Sequence, residues 1–220
     1  MPAHARSPQL FRQIFPKRVE ILRASSHSWS IFNERLCKLF NMNGANYYTF
    51  KKGNVRFFVL DSNYMDPKQL AWLDQQLHDA GDNDWKICYF HHPLYSSGKS
   101  HGCSIELRSL IEPMFIKYGV DAVFSGHDHI YERVHPQKGI YYFTEGSSGQ
   151  LRNGDLAKTG MTEKGFDAFM LIEIAGDQMY FQTLSRDGTE VDSGVLSRTV
   201  RTPTAALPWR RERNSCFVPS

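Results

Sequence analysis

The chain lacks most of the patterns that announce a membrane protein, a secreted scaffold or a metal ribbon. It contains no run of about 18 apolar residues, so no membrane-spanning helix is expected. The start, MPAHARSPQLFRQIFPKR, is basic but has no continuous apolar stretch, which argues against a secretory leader. Four cysteines, Cys37, Cys88, Cys103 and Cys216, lie far apart and form no C-x-x-C pair, so neither a disulfide framework nor a zinc ribbon is expected. Charge of one sign is scarce, the formal balance being +3, and nothing in the body suggests a nucleic-acid partner. Basic residues gather only near the end, at Arg198, Arg201, Arg210, Arg211 and Arg213, without apolar periodicity. Residues 198–220 are therefore expected to be a disordered basic tail. No internal repeat is evident.

What remains is an ordinary globular composition, 220 residues with 41% hydrophobic and 22% charged, enough for one domain with a substantial core. Residues 1–44 read as irregular, with a short helix possible over Ile31–Phe40. From Tyr47 the text becomes regular. Tyr47–Lys51 and Val55–Asp61 flank a Lys52-Gly53-Asn54 turn and predict a hairpin leading into a buried strand. Asp66-Pro67 supplies a cap and a first-turn proline for a helix with Leu70, Leu73 and Leu77 on one face, stopped by Gly81. Trp85–His92 is the next strand, ending in histidines before Pro93. A second helix runs from Ser104, with Leu107, Leu110 and Ile111 sharing a face, interrupted by Pro113 and ended by Gly119. Val120–Phe124 is again a buried strand, followed by Ser125-Gly126, where glycine is expected to permit the turn. Ile140–Phe143, Phe166–Ile174, Gln178–Ser185 and Val191–Leu196 read as antiparallel strands. The order βαβαβ followed by a β-rich half suits an α/β fold with two mixed sheets in a sandwich flanked by helices.

The chemistry concentrates at strand ends. In an extended segment His127 and His129 project to the same side, and ligands of open α/β sheets collect beyond the carboxyl ends of parallel strands. A lone His-x-His is weak. The case strengthens because His91 and His92 close the preceding strand, and the loop between Pro93 and Gly102 carries Lys99 and His101 over the same edge. Five of the nine histidines thus converge on one rim, and imidazole is a common ligand for zinc, iron and related ions. Adjacent strand residues face opposite ways, so one of His91 and His92 is expected to aim at the site and the other to lie in the core or to support the ligands from behind. Tyr131, Glu132 and Arg133 fit either a solvated face or a group that orients a ligating imidazole. Cys88 reads as a small buried residue, and His78 and His135 as surface residues. Asp61 and Asn63 read as part of the turn leading to the Asp66 cap.

Three motifs, CYFHHPLYSSG, the SHG loop with His101, and SGHDHIYER, resemble the calcineurin-like metallophosphoesterases of the purple acid phosphatase-like branch. The flanking stretches YYTFKKGNVRFFVLD, DPKQLAWL and GIYYFTEGSSGQ fit as well, and the resemblance covers about Phe40 to Ser197. It implies a β-sandwich flanked by helices, with two metal ions, Fe, Zn or Mn, acting on a small phosphate ester, and neither nucleic acid nor membrane as partner. By position, His91 and His127 would ligate one metal and His129 the other. His101 would touch the substrate phosphate or protonate the leaving group.

The resemblance also departs from the family. Its Asp-x-His or Asp-x-Gly, Gly-Asp and Gly-Asn-His motifs, which supply the bridging carboxylate and a metal-binding asparagine, are missing ahead of the matching text. Residues 45–197 are accordingly read as the carboxyl-terminal part of the domain, with an amino-terminal truncation or a frame shift near Asn33 as the simplest explanation. A bridging carboxylate holds paired ions about 3.5 to 4 Å apart. Without it, this chain alone is expected to bind at most one ion and to hydrolyse little. The rival expectation is a non-catalytic metal-binding remnant or a truncated fragment.

Overall fold

The computed structural model describes residues 46–148 and 168–198. The expected helix over Ile31–Phe40 lies outside them, as do residues 199–220. The described residues form nine strands and two helices, which in the first half follow the predicted order: β1 (Tyr48–Lys52), β2 (Val55–Val59), α1 (Pro67–Asp79), β3 (Trp85–Tyr89), α2 (Ile105–Tyr118) and β4 (Ala122–Ser125). Then come β5 (Tyr131–Gln137), β6 (Ile140–Glu145), β7 (Ala168–Ala175), β8 (Gln178–Ser185) and β9 (Glu190–Ser197). A six-stranded mixed sheet has the order β1-β2-β3-β4-β6-β5, and a three-stranded antiparallel sheet the order β7-β8-β9. Strands β2, β3, β4 and β6 run parallel, so their carboxyl ends share one edge.

The helices start and stop where local chemistry dictates. Asp66 caps α1 by accepting from the Gln69 backbone N–H at 2.7 Å, and Pro67 fills a first-turn position whose missing N–H costs nothing. Gly119, in the left-handed conformation at φ +71°, ends α2. Leu107, Ile111 and Phe115 form the inward face of α2, whereas Leu110 is 46% exposed. The expected Leu107, Leu110, Ile111 face is thus corrected: the stripe follows the i, i+4 row, and Leu110 falls outside it.

Two cores explain why the parallel strands are apolar throughout. On one face Phe58, Cys88, Val123 and Tyr142 pack against Leu73, Leu77, Leu107, Ile111 and Phe115 of the helices. On the other, Val55, Trp85, Ile87, Ala122 and Phe143 pack against Met179, Phe181 and Leu196 of the second sheet. Strand β3 shows the alternation directly, with Trp85 and Ile87 facing the second sheet and Cys88 the helices. Each Val, Leu, Ile, Phe or Met among them contributes about 1.5–3 kcal/mol on full burial. The Trp85 indole N–H also donates to the Gly176 carbonyl at 2.9 Å, fixing the β7–β8 turn to the first sheet.

Strand β5 is the element the sequence did not predict. Tyr131 and Glu132 are buried, so the alternative of a solvated face is overturned. Arg133 reaches across the sandwich to Asp192 on β9, with Nε–Oδ2 at 2.8 Å. Arg198, at the start of the expected tail, pairs with Asp177 through Nη2–Oδ1 at 2.7 Å. Among the described residues Cys88 is free and buried, as expected of a small core residue. Among the described residues no helix is long and apolar enough to cross a membrane.

Candidate metal centre

The site is built on the shared carboxyl edge of the parallel strands. Strand β3 ends at Tyr89, three residues earlier than expected, and His91 and His92 sit in the bend that follows. Strict alternation therefore does not apply to them, and both turn toward the same cluster. That corrects the expectation that only one of the pair aims at the site. The ligand atoms of His91, His92 and His127 lie within 4.8 Å of one another. His91 Nε2 and His127 Nδ1 are 2.9 Å apart. The ring centroids of His92 and His127 are separated by 4.6 Å, and those of His101 and His127 by 4.1 Å.

His127 reaches the cluster through an unusual backbone. Its φ is +65°, a left-handed conformation that a residue with a Cβ adopts rarely and at a cost. Asp128 N–H donates to the Gly126 carbonyl at 2.8 Å and Ile130 N–H to the Asp128 carbonyl at 2.9 Å, so residues 126–130 form consecutive tight turns. The extended His-x-His geometry expected from sequence is thus overturned. His129 lies near enough to His91 to disfavour protonation there, but it is not among the three clustered imidazoles. Gly126 is not the residue that makes the turn possible, since a Cβ there would meet only His91 Nδ1 at 3.9 Å. The glycine the site requires is Gly146, at the end of β6, where a Cβ would lie 1.9 Å from the Asp128 carbonyl oxygen.

Support for the cluster comes from residues no motif pointed to. The Asp61–Tyr64 turn after β2 is pinned by Gln69, fully buried on α1. Its side chain accepts from Asp61 N–H at 2.8 Å and donates to the carbonyls of Asp61 and Tyr64 at 3.0 and 2.9 Å. That turn presents Ser62, whose Oγ lies 2.9 Å from His92 Nδ1 and accepts from the His92 backbone N–H at 3.1 Å. Asp61 itself hydrogen-bonds Asn63, as the sequence suggested for a turn. The signal that could have found Ser62 is its place just past the carboxyl end of a strand parallel to β3.

The electrostatics favour neutral imidazoles. Desolvation, followed by its histidine neighbours, lowers the pKa of His91. Burial lowers His92 too, opposed by Ser62 and by the charge of Asp61. His127 is pushed down to about 4, first by desolvation and then by His91, His92 and His101, with Asp128 opposing. Lone pairs are therefore available at neutral pH, the state a metal ligand needs. Two imidazole nitrogens on one tetrahedral zinc would stand about 3.3 Å apart, so the 2.9 Å pair needs only a few tenths of an ångström of adjustment. The donor set fits an ion of the zinc or iron class. Among the described residues, the metal-ligating group that forms contains no carboxylate.

A two-sheet sandwich flanked by helices, with histidines on the parallel edge, is the architecture of a metallophosphoesterase. The chain belongs to the calcineurin-like phosphoesterase family, whose model matches residues 9–131, more than half of its length. Its likeness is to the purple acid phosphatase branch. Purple acid phosphatase 23 of Arabidopsis thaliana is 32% identical over 151 residues, covering 61% of this chain and 33% of that protein. An acid phosphatase of Aspergillus ficuum is 40% identical over 86 residues, 38% of this chain and 14% of its own length. Among solved structures, a purple acid phosphatase from yellow lupin (Lupinus luteus) seeds shares the fold with a TM-score of 0.61 and 20% identity, covering 73% of this chain and 36% of that one. The chain thus spans about a third or less of the length of the curated relatives it matches, 33%, 23% and 22% for the first three.

Proposed function

We propose that this chain carries the histidine-bearing part of a metal-dependent phosphoric-ester hydrolase. The observation that carries the proposal is the His91 Nε2 to His127 Nδ1 approach of 2.9 Å, beside the His101 ring at 4.1 Å, on the carboxyl edge of parallel strands. His91 and His127 would hold one ion of the zinc, iron or manganese class, with His129 assigned to a second by family resemblance. When bound, such ions supply an activated water and neutralise charge on the phosphoryl oxygens.

The chain's own residues have separable tasks. Ser62 orients the His92 ring, and His92 adds a third imidazole to the His91–His127 pair. His101, exposed at the rim, can donate a hydrogen bond to a phosphate oxygen or a proton to the departing alcohol, worth about two to four orders of magnitude in rate. The substrate class is a small phosphate ester. Among the described residues the imidazole cluster offers three ligands for one ion, and slow turnover is the outcome we expect of the chain alone.

The test is hydrolysis of p-nitrophenyl phosphate by zinc-, iron- and manganese-loaded protein, compared with a version extended upstream. Activity in the extended protein, abolished by His101→Ala and His127→Ala, supports the proposal. No activity in either protein with any metal refutes it. A second reading, a non-catalytic metal-binding protein, rests on the same three-imidazole cluster and predicts bound zinc with no turnover in either form.

A further inference from the structure

We propose that Asp128 and Glu132 are positioning residues that lock the 96–102 loop, and with it His101, over the imidazole cluster. Asp128 stands between two histidines yet is 1% exposed and points away from solvent. Its Oδ2 accepts from Ser96 Oγ at 2.6 Å and from the Gly102 backbone N–H at 3.1 Å. One carboxylate oxygen therefore ties the first and last residues of the loop together. Ser96 Oγ also accepts from the Gly98 N–H at 3.0 Å, so the same oxygen fixes the loop's interior at one remove. Glu132, fully buried on β5, grips the next residue: its carboxylate oxygens lie 3.0 and 3.3 Å from the Ser97 N–H.

The close approach leaves a signature in the sequence. A Cβ on Gly98 would fall 2.3 to 2.6 Å from the carboxylate atoms of Asp128, so only glycine fits while Asp128 holds its place. Burying carboxylates costs stability that apolar residues of similar size would not. A loop packed merely for stability has no need of them. What they fix is direction: charge-assisted hydrogen bonds are short and geometrically demanding. The segment that supplies His127 to the cluster thereby also grips the loop that supplies His101, which accounts for ring centroids only 4.1 Å apart although His101 is exposed on a loop. The consequence for substrate rests on the phosphoester reading above; the clamp itself does not.

The experiment is amide hydrogen exchange and ring-to-ring nuclear Overhauser contacts in the full 220-residue chain. Asp128→Ala is expected to speed exchange at Gly98 and Gly102 by about 10- to 100-fold, the range for a lost hydrogen bond to a charged group, and to abolish the His101–His127 contact. Asp128→Asn, which keeps an acceptor oxygen, should rescue most of both. Gly98→Ala should mimic Asp128→Ala, yet add little when combined with it, because the truncated side chain makes room for the new Cβ. Unchanged exchange at Gly98 and Gly102 with a persistent His101–His127 contact in Asp128→Ala would overturn the proposal. If Asp128→Ala also unprotects the amides of β8, the protein has unfolded, and Ser96→Ala and Gly98→Ala carry the test with the same expected rise; no rise in them overturns the proposal. For the functional consequence, the affinity of zinc-loaded chain for inorganic phosphate should weaken about tenfold in Asp128→Ala. A wild-type chain that binds no phosphate refutes the phosphoester reading, while Asp128-dependent protection at Gly98 and Gly102 still upholds the clamp.

Discussion

Replacing Asp192 with alanine should loosen the sandwich measurably. Asp192 on β9 accepts from Tyr131 Oη at 2.7 Å, from Arg133 Nε at 2.8 Å and from Arg133 Nη2 at 3.2 Å. Tyr131 and Arg133 belong to β5, so this one carboxylate links the far edge of the first sheet to the second. The Asp192 side chain is 9% exposed and that of Arg133 31%. Breaking a buried pair costs about 3–5 kcal/mol because the surviving partner is stranded. Here Arg133 keeps partial contact with water, and it remains 5.5 Å from the Phe181 ring centroid, so part of that cost is avoided. Removing Asp192 also relieves its repulsion on Glu145. We expect a net loss of about 2–3 kcal/mol, with Asp192→Asn losing roughly half as much. Urea unfolding followed by circular dichroism gives the value from the shift in midpoint at unchanged slope. A loss below about 0.5 kcal/mol would refute the view that this contact joins the sheets.

Further expectations follow from single contacts. Burial, then the charge of Asp192, raises Glu145 from 4.5 to about 8, so the folded chain holds a proton the unfolded chain sheds; stability is full below pH 4.5 and is lost as pH rises through 8. The lowered histidines add an opposite slope to both proteins, so relative to Glu145→Gln the wild type should lose melting temperature progressively across that range; equal slopes would contradict the assignment. Ser62→Ala removes the partner of His92 Nδ1 and should weaken zinc binding about tenfold by competition titration, whereas unchanged affinity would take His92 out of the cluster. Gly146→Ala sets a Cβ against the Asp128 carbonyl oxygen at 1.9 Å and should cost about 3 kcal/mol or more in thermal unfolding; an unchanged melting temperature would show that the backbone yields freely there.

Much of this architecture was legible in the sequence because it rests on local rules. The Asp66-Pro67 cap, the left-handed Gly119 stop and the apolar runs of β2, β3 and β4 each follow from chemistry within a few residues. Strand β5 was not legible. Its text, YERVHPQ, mixes charge and proline, and Glu132 and Arg133 find partners in Ser97 and Asp192, distant in sequence. The candidate site divides in the same way. His91, His101 and His127 were visible as histidines at strand ends and in the loop between them. His92 enters the cluster through the bend after β3 and its contact with Ser62, and His127 leaves the extended conformation in a turn packed against Gly146, neither of which periodicity can reveal. Asp128 could have been suspected as a charged residue inside a histidine pair, but its partners Ser96 and Gly102 lie across the loop.

If the strand-end histidines form a metal centre, the metal content of the purified chain reports it. Purified chain, dialysed against zinc and then metal-free buffer, should retain about one zinc ion per chain by elemental analysis. The His91→Ala and His127→Ala variants, still folded by circular dichroism, should retain almost none. A wild-type chain that keeps no zinc, or a His127→Ala variant that keeps as much as the wild type, would contradict the claim.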